Sequence, residues 1–389
     1  MSAGTRSAGP ARSSGQEGPA DRARAARPGL VLGICCSALF LSVADASIVH
    51  VVLPSVQADL GGSVTALQWV VDSYLLVLAS LLIFAGSVAD RWGRRRVFVA
   101  GLAVFAFGTT LCGLAGSIEL LVAARVLQAV GAAMLNPVAL GIIADVYPPG
   151  AARARALGTW SAVSGLGIAA GPPLGGVVAA TVGWRGVFLV TVPVALAALA
   201  LALRYVPESR AAEPRRIDPV GQVLLVALVG GTVAVLIEGP TRGWTSAYVV
   251  APAALVAVGV LLFVRVELRH PAPLVDPRLF RSRQMVAAVG SAVAGFAAFG
   301  GCLFALSLTL QSGRGLDPLT TGLVVLPLGL AALAVSSASA RLVGRGRARA
   351  ALLLAGVLLA AGSLALGVAE ARTVPLVVVA AAVALFGLG

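Results

Sequence analysis

Twelve apolar runs, each about 17–28 residues long, fill most of this chain, and a run of that length is what a helix needs to cross about 30 Å of hydrocarbon. They fall at 30–53, 66–88, 97–116, 118–143, 155–181, 185–204, 219–238, 246–266, 284–311, 320–342, 349–369 and 373–389. The connecting segments supply an independent check. The N-terminal tail holds five Arg, and every second loop after it is Arg-rich: Arg91, Arg94, Arg95 and Arg96; Arg153 and Arg155; Arg204, Arg210, Arg215 and Arg216; Arg265, Arg269, Arg278, Arg281 and Arg283; Arg341, Arg345, Arg347 and Arg349. The alternate loops hold only Arg185, Arg242, Arg314 and Arg372. A miscounted span would scramble this alternation, and the positive-inside rule places the tail and the Arg-rich loops in the cytoplasm.

Composition agrees with a lipid-solvated chain. Charged residues make up 12% of the sequence and hydrophobic ones 59%, where a soluble domain carries about 25% charged residues. The net charge of +13 does not indicate nucleic-acid binding, because the basic residues, all Arg, sit in short clusters between spans. Cys35, Cys36, Cys112 and Cys302 lie inside apolar runs without metal-site or C-x-x-C spacing, so they are read as small hydrophobes. No metal-ligand cluster or nucleophile–base pair is visible, and His50 and His270 are the only histidines; the chain is not read as an enzyme. No G-x-x-x-x-G-K-[ST] loop appears, so ATP is not its energy source within this chain. Residues 1–29, rich in Gly, Ala, Ser, Pro and Arg, read as a disordered cytoplasmic tail. A signal peptide cleaved near Ala44-Asp45-Ala46 competes with that reading, but the apolar run is about twice too long for it.

Few ionisable residues fall inside the spans, where each costs a few kcal/mol and so usually faces a polar cavity. Asp45 on span 1, Asp72 on span 2 and Arg125 on span 4 all lie roughly 9–12 Å below the outer surface at about 1.5 Å per residue. At one depth, two acids and one Arg are expected to share a cavity. A structural ion pair is the plainer reading for any single one of them. One Arg cannot neutralise both acids, and an acid left over would titrate near neutral pH, as a proton-coupled carrier requires. Glu238 and Asp145 lie at span ends and read as interfacial; Asp90 sits just before an Arg cluster.

Three motifs carry a family resemblance. Gly86-Ser-Val-Ala-Asp90-Arg91-Trp-Gly93-Arg94-Arg95-Arg96, between spans 2 and 3, resembles the G-x-x-x-D-R-x-G-R-R-x loop signature of the major facilitator superfamily. Gly86 would allow close packing, Gly93 a tight turn, and Asp90 with the Arg residues a charged latch between bundles. Arg125-Val-Leu-Gln128-Ala129-Val-Gly131-Ala on span 4 resembles the R-x-x-Q-G-x-G-A motif, with Ala129 in place of a Gly, and implies a part for Arg125 in proton coupling. Gly167-Ile-Ala-Ala-Gly171-Pro172-Pro173-Leu-Gly175-Gly176 on span 5 matches the antiporter motif G-x-x-x-G-P-x-x-G-G, found mainly in exporters. Asp45-Ala-Ser-Ile-Val-His50-Val-Val-Leu-Pro54 is similar to the first-span motif of the fourteen-helix drug:proton antiporters, with His50 where Asn is usual; His50 reads as a satisfied interfacial residue. Gln68-Trp69-Val-Val-Asp72-Ser-Tyr74 resembles the branch that exports quaternary ammonium and other lipophilic cations, and Gln311 to Gly322 fits the second half of such pumps.

The resemblance implies an all-α polytopic membrane protein with two pseudo-symmetric helix bundles and two linking helices. The expected layout is a six-helix bundle at 30–204, linking helices and loops at 205–283, and a four-helix part of the second bundle at 284–389, twelve of fourteen spans, as if the chain were truncated at its C-terminal end. Arg341-Leu-Val-Gly344-Arg345 echoes the first-bundle loop. The expected function is proton-coupled antiport, by alternating access, of a small hydrophobic or cationic drug across the bacterial cytoplasmic membrane, by a monomer with no cofactor beyond the proton gradient. A metabolite importer on the same fold and an inactive truncated remnant are the alternatives.

Overall fold

In the computed structural model, which describes residues 27–211, 218–270, 273–372 and 374–389, each of the twelve apolar runs is a helix. They are α1 (Pro28–Leu60), α2 (Val64–Trp92), α3 (Arg94–Gly113), α4 (Ile118–Val146), α5 (Ala151–Val182), α6 (Trp184–Tyr205), α7 (Pro219–Arg242), α8 (Ala247–Glu267), α9 (Arg283–Gly313), α10 (Pro318–Gly344), α11 (Ala348–Ala371) and α12 (Leu376–Leu388). Eleven are long and apolar enough to span a bilayer; α12 is shorter. Most of the tail reading falls on residues 1–26, and Arg215 and Arg216 fall in 212–217, outside the described residues. So does the side chain of Arg341.

Polar residues start the helices where the runs begin. Ser63, Ser117, Asp218, Ser282 and Asp317 accept hydrogen bonds from the amides of Ala66, Leu120, Gly221, Met285 and Thr320, satisfying first-turn donors that lipid could not. The hydroxyl and amide of Thr320 also hold the Asp317 carboxyl below the usual range. The helices run further than apolar content suggests, because polar turns at their ends remain helical: α1 continues to Leu60 and α2 to Trp92. Span 4 is broken. Met134 and Leu135 form a turn, and the helix restarts at Asn136-Pro137, since Pro cannot donate into the preceding turn. Span 9 ends in a wide π-turn, Thr309–Gly313.

Packing divides the helices as a two-bundle fold requires. Two apolar cores lie within α1–α6. One, at the Arg-rich end, holds Phe98, Leu102, Phe105, Leu135 and Ile142; the other, at the opposite end, holds Val52, Leu53, Leu67, Leu121 and Phe188. A third joins α9–α12 through Leu303, Leu306, Leu328, Val379 and Phe386. The linking pair stands apart from these: α8 is apolar all round yet only 6% of its most apolar window is buried in the chain, so its faces need lipid. Leu255 and Leu261 are each 72% exposed on it.

The bundles meet along α5 and α10, which run antiparallel. A methyl added at Gly176 would stand 2.5 Å from the Pro318 carbonyl oxygen, one at Gly322 2.6 Å from that of Pro172, and one at Gly329 2.2 Å from the Cα of Ala169. Gly165 follows, beside Leu333. Beyond it, toward the Arg-rich end, Gly158, Ser161 and Ala162 of α5 are exposed, as are Ala338 and Ser339 of α10. Gln311 of the π-turn donates to the Val51 carbonyl of α1 at 2.7 Å, also at the closed end. Among the described residues, the halves are therefore sealed at the Arg-poor end, and the facing positions at the Arg-rich end are exposed.

Candidate functional site

Asp45 of α1 and Arg125 of α4 form an ion pair in which both side chains are essentially out of solvent, at 3% and 1% exposure. Gln128 knits it together. It donates from Nε2 to Asp45 Oδ1 at 2.9 Å and to the Thr109 hydroxyl of α3 at 2.7 Å, and it accepts from Arg125 Nη1 at 2.6 Å. The Arg125 Nε donates to the Val70 carbonyl of α2 at 3.2 Å, and its guanidinium lies over the Tyr74 ring at 4.1 Å. Tyr74 in turn donates to the Ser42 carbonyl of α1. The site thus joins α1, α2, α3 and α4. Close approach of α3 and α4 brings Thr109 within reach of Gln128: a methyl at Gly108 would meet the Gln128 backbone nitrogen at 2.6 Å, and one at Gly131 the Phe105 nitrogen at 2.4 Å. The packing role of the helix 4 motif rests on Gly131, so Ala129 does not weaken it.

Asp72 does not join this cluster. Val70 and Tyr74, which meet Arg125, lie two residues to either side of it. At about 100° per residue that is the opposite face of α2. Asp72 is partly exposed, and among the described residues it has no ion pair or hydrogen bond. It stands three residues from Trp69, on the side where α2 meets α7: Trp69 Nε1 donates to Glu238 at 3.4 Å and Gln222 Nε2 to the Ser80 carbonyl at 2.6 Å. The expected single cavity is therefore two separate places. His50 also departs from expectation. It is 5% exposed rather than interfacial, and its Nδ1 has no partner.

The loop motif is a charged knot inside the first bundle. Arg94 binds Asp90 at 2.9 Å and Asp145 at 2.5 Å, and donates to the Gly141 carbonyl, so α2, α3 and α4 are tied at the Arg-rich end. The segment after α6 closes over it. Glu208 accepts from the Arg95 amide and pairs with Arg96 at 3.4 Å, Arg95 donates to the Leu203 carbonyl, and the Ala211 amide donates to the Asp90 carbonyl. Arg91 is exposed. The contacts of Asp90 thus lie within the first half of the chain, not between bundles. Gly93 is needed, with φ +117° and Glu208 Oε1 2.4 Å from where a Cβ would sit. Gly86 is not a close-packing position: its nearest neighbour, Pro137, would be at 3.6 Å, ordinary van der Waals contact.

The antiporter motif places one glycine row against α1. Methyls at Gly167, Gly171 and Gly175 would meet Val43, the Ser47 hydroxyl and Ile48 at 3.1, 2.0 and 3.0 Å. The next glycine, Gly176, turns to α10 as described. The helix is continuous through Pro172 and Pro173. The motif therefore grips α1 on the residues flanking Asp45 while its other edge forms the bundle seam. An apolar cleft of about 280 Å³ lies beside that seam, lined by Ile168 of α5 with Phe296, Phe299, Leu328, Ala332 and Phe386 among others. Residue types in the motifs named Asp45, Arg125 and Gln128; Thr109, Tyr74 and Ser42 carried no such signal.

Comparison with known proteins agrees with this architecture. The chain is 39% identical over 341 residues to the multidrug resistance protein Stp of Mycobacterium tuberculosis, covering 88% of this chain and 64% of Stp. It is 38% identical over 285 residues to the tetracenomycin C resistance and export protein of Streptomyces glaucescens, covering 73% of this chain and 53% of that protein. The methylenomycin A resistance protein of Streptomyces coelicolor matches 96% of this chain at 32% identity, over 78% of its own length. The chain thus spans about 64% of the length of Stp and 53% of the tetracenomycin protein. Among solved structures, the xylose transporter XylE from E. coli, in a partially occluded inward-open conformation, superposes with a TM-score of 0.60 over 93% of this chain and 81% of its own, at 14% identity. A peptide transporter, POT, in complex with sulfate gives 0.65 over 92% and 80%, at 15% identity. Those likenesses bear on the fold alone. The Major Facilitator Superfamily model matches residues 35–389, nearly the whole helical region whose loop knot, buried ion pair and glycine seam have just been described, and the chain belongs to that superfamily.

Proposed function

We propose that this chain is the transport core of a proton-coupled exporter of lipophilic, cationic drugs or antibiotics in the bacterial cytoplasmic membrane, with its N-terminus in the cytoplasm. It is a transporter-family protein and not an enzyme. The observation that carries the reading is the buried Asp45–Arg125–Gln128 cluster, set beside the α1–α5 glycine row that borders the seam between bundles. Protonation of Asp45 would cancel its charge and loosen its hold on Arg125. The grip of α4 on α1 would weaken, and α1 could shift along α5. Without a proton, the pair would draw the helices together again. Asp72, partly exposed and on another face, is assigned to attraction of a cationic substrate. The apolar cleft suits a lipophilic one. Three relatives named as resistance or export proteins support the direction of transport. With the Arg-rich loops in the cytoplasm, the arrangement described here is inward-facing.

The test is efflux of a fluorescent lipophilic cation from a pump-deficient bacterium carrying the complete reading frame, with and without a protonophore. Protonophore-sensitive efflux that Asp45→Asn abolishes is expected. Efflux that survives Asp45→Asn and Asp72→Asn alike would sink the carboxylate mechanism.

A further inference from the structure

At the Arg-rich end of the α7–α8 pair, far along the chain from the Asp45 cluster, two carboxylates leave water together. Asp218 is 2% exposed and Glu267 1% exposed. Each has one oxygen in use: Asp218 Oδ1 accepts from the Gly221 amide at 2.8 Å, and Glu267 Oε2 from the Val275 amide at 3.2 Å. Their other oxygens, Asp218 Oδ2 and Glu267 Oε1, are buried and accept no hydrogen bond among the described residues. These two converge. A methyl built on Gly221 would stand 2.7 Å from Asp218 Oδ2 and 2.4 Å from Glu267 Oε1, so the two oxygens are within about 5 Å of each other. Glycine at 221 is what lets them approach.

Among the described residues, few groups face these two oxygens. His270 Nδ1 faces Asp218 Oδ2 at 3.6 Å from a side chain that is 27% exposed. Among the described residues, Asp218 and His270 are the charged neighbours of Glu267. α2 brings the uncharged Ser80, whose carbonyl accepts from Gln222 Nε2; Gln222 Oε1, one turn beyond Asp218, is also buried without a partner. Two ionised carboxylates this close and this dry repel each other, and one proton between them removes the repulsion.

We propose that Asp218 and Glu267 together hold one proton at neutral pH, as a carboxylic acid beside a carboxylate, and that this proton clamps the Arg-rich end of the α7–α8 pair onto α2. When the pair gives it up, two like charges face each other across Gly221, the helix ends part, and Gln222 loses its hold on Ser80. The site is separate from Asp45 and Asp72 and does not depend on the transport reading.

Infrared spectra of the purified, detergent-solubilised chain in D2O test this. They are best taken in an Asp72→Asn background, which silences the other unpaired acid. A protonated carboxyl stretch is expected at neutral pH, disappearing in Asp218→Asn and in Glu267→Gln alike, because either amide then donates permanently to the remaining carboxylate. The folded chain would hold a proton that the unfolded chain has released. Stability should therefore fall as pH rises through the release, and the melting temperature should become flat with pH in either variant. Absence of the band in the parent chain, which needs no further variant to fold, overturns the proposal. So does a band that survives both substitutions. A melting temperature raised by sodium at fixed pH, with no carboxyl band, would replace the proton by a metal cation and equally overturn it.

Discussion

Arg125 is 1% exposed and leans on Asp45, Gln128, the Val70 carbonyl and the Tyr74 ring. Removing the Asp45 charge strands that guanidinium, so Asp45→Asn should cost roughly 3–5 kcal/mol of stability as well as coupled transport. Thermal melting of the purified protein checks the first effect and proton-driven efflux the second. Asp72→Asn should behave differently. With no partner to orphan, it should change stability by no more than about 0.5 kcal/mol. It should weaken efflux of cationic substrates more than of neutral ones; an equal loss of both would remove Asp72 from substrate attraction. The sequence made Asp45 and Arg125 legible because an ionised residue inside an apolar run is expensive. It made depth legible because helix rise is constant. Azimuth was legible too, since Asp72 falls two residues from Val70 and from Tyr74, yet facing can be assigned only once a partner helix is fixed. Asp218 and Glu267 went unremarked because they sit at span ends, where a charge is cheap, and only the fold shows that those ends are buried.

Among the elements, α5 meets two partners with one glycine-rich stretch. Gly171→Val would push a branched side chain into Ser47, and Gly329→Val would push one into the backbone of Ala169. Both should abolish transport, and Gly329→Val should leave the first-bundle core formed, as judged by protection of α1–α6 amides from hydrogen exchange. Within the loop motif the two glycines should separate cleanly. Gly86→Ala should be close to neutral in a melting experiment, while Gly93→Ala should cost about 1–2 kcal/mol, because φ there is +117° and Glu208 occupies the space. Twelve helices could be counted from apolar runs and Arg alternation alone. The break in span 4 could have been marked at Asn136-Pro137, but a proline is equally compatible with a continuous helix, as Pro172 and Pro173 in α5 demonstrate.

For the molecule as a whole, the two halves touch at the Arg-poor end, and their facing positions at the other are exposed. A methyl added at Gly176 or at Gly322 would stand 2.5 or 2.6 Å from a carbonyl oxygen of the facing half, so Gly176→Ala and Gly322→Ala should each force this end apart. Both should lower the protection of α5 and α10 amides from hydrogen exchange and change efflux; unchanged protection and efflux in both variants would contradict alternating access through this seam. Charge asymmetry is equally a whole-chain property. Of the four Arg on the sparse side, Arg185 is tied to Asp59, Arg242 to Glu238, and Arg314 to the carbonyls of Ala369 and Val374. Among the described residues, three of the four Arg on that side are therefore already held.

The α5–α10 seam is made of backbone against backbone, and the contacts named along it are neither salt bridges nor side-chain hydrogen bonds. Such a surface carries no chemical memory of which position it occupies; its hold is dispersion alone, and dispersion falls away within an ångström. On the alternating-access reading proposed above, one added carbon, from a single base change turning a glycine codon into alanine, would therefore shift the resting balance between the two faces of the membrane without touching Asp45, Arg125 or Asp72. On that reading the seam would be a dial for how long the protein waits open to either side, one that the smallest substitution available to a genome could turn.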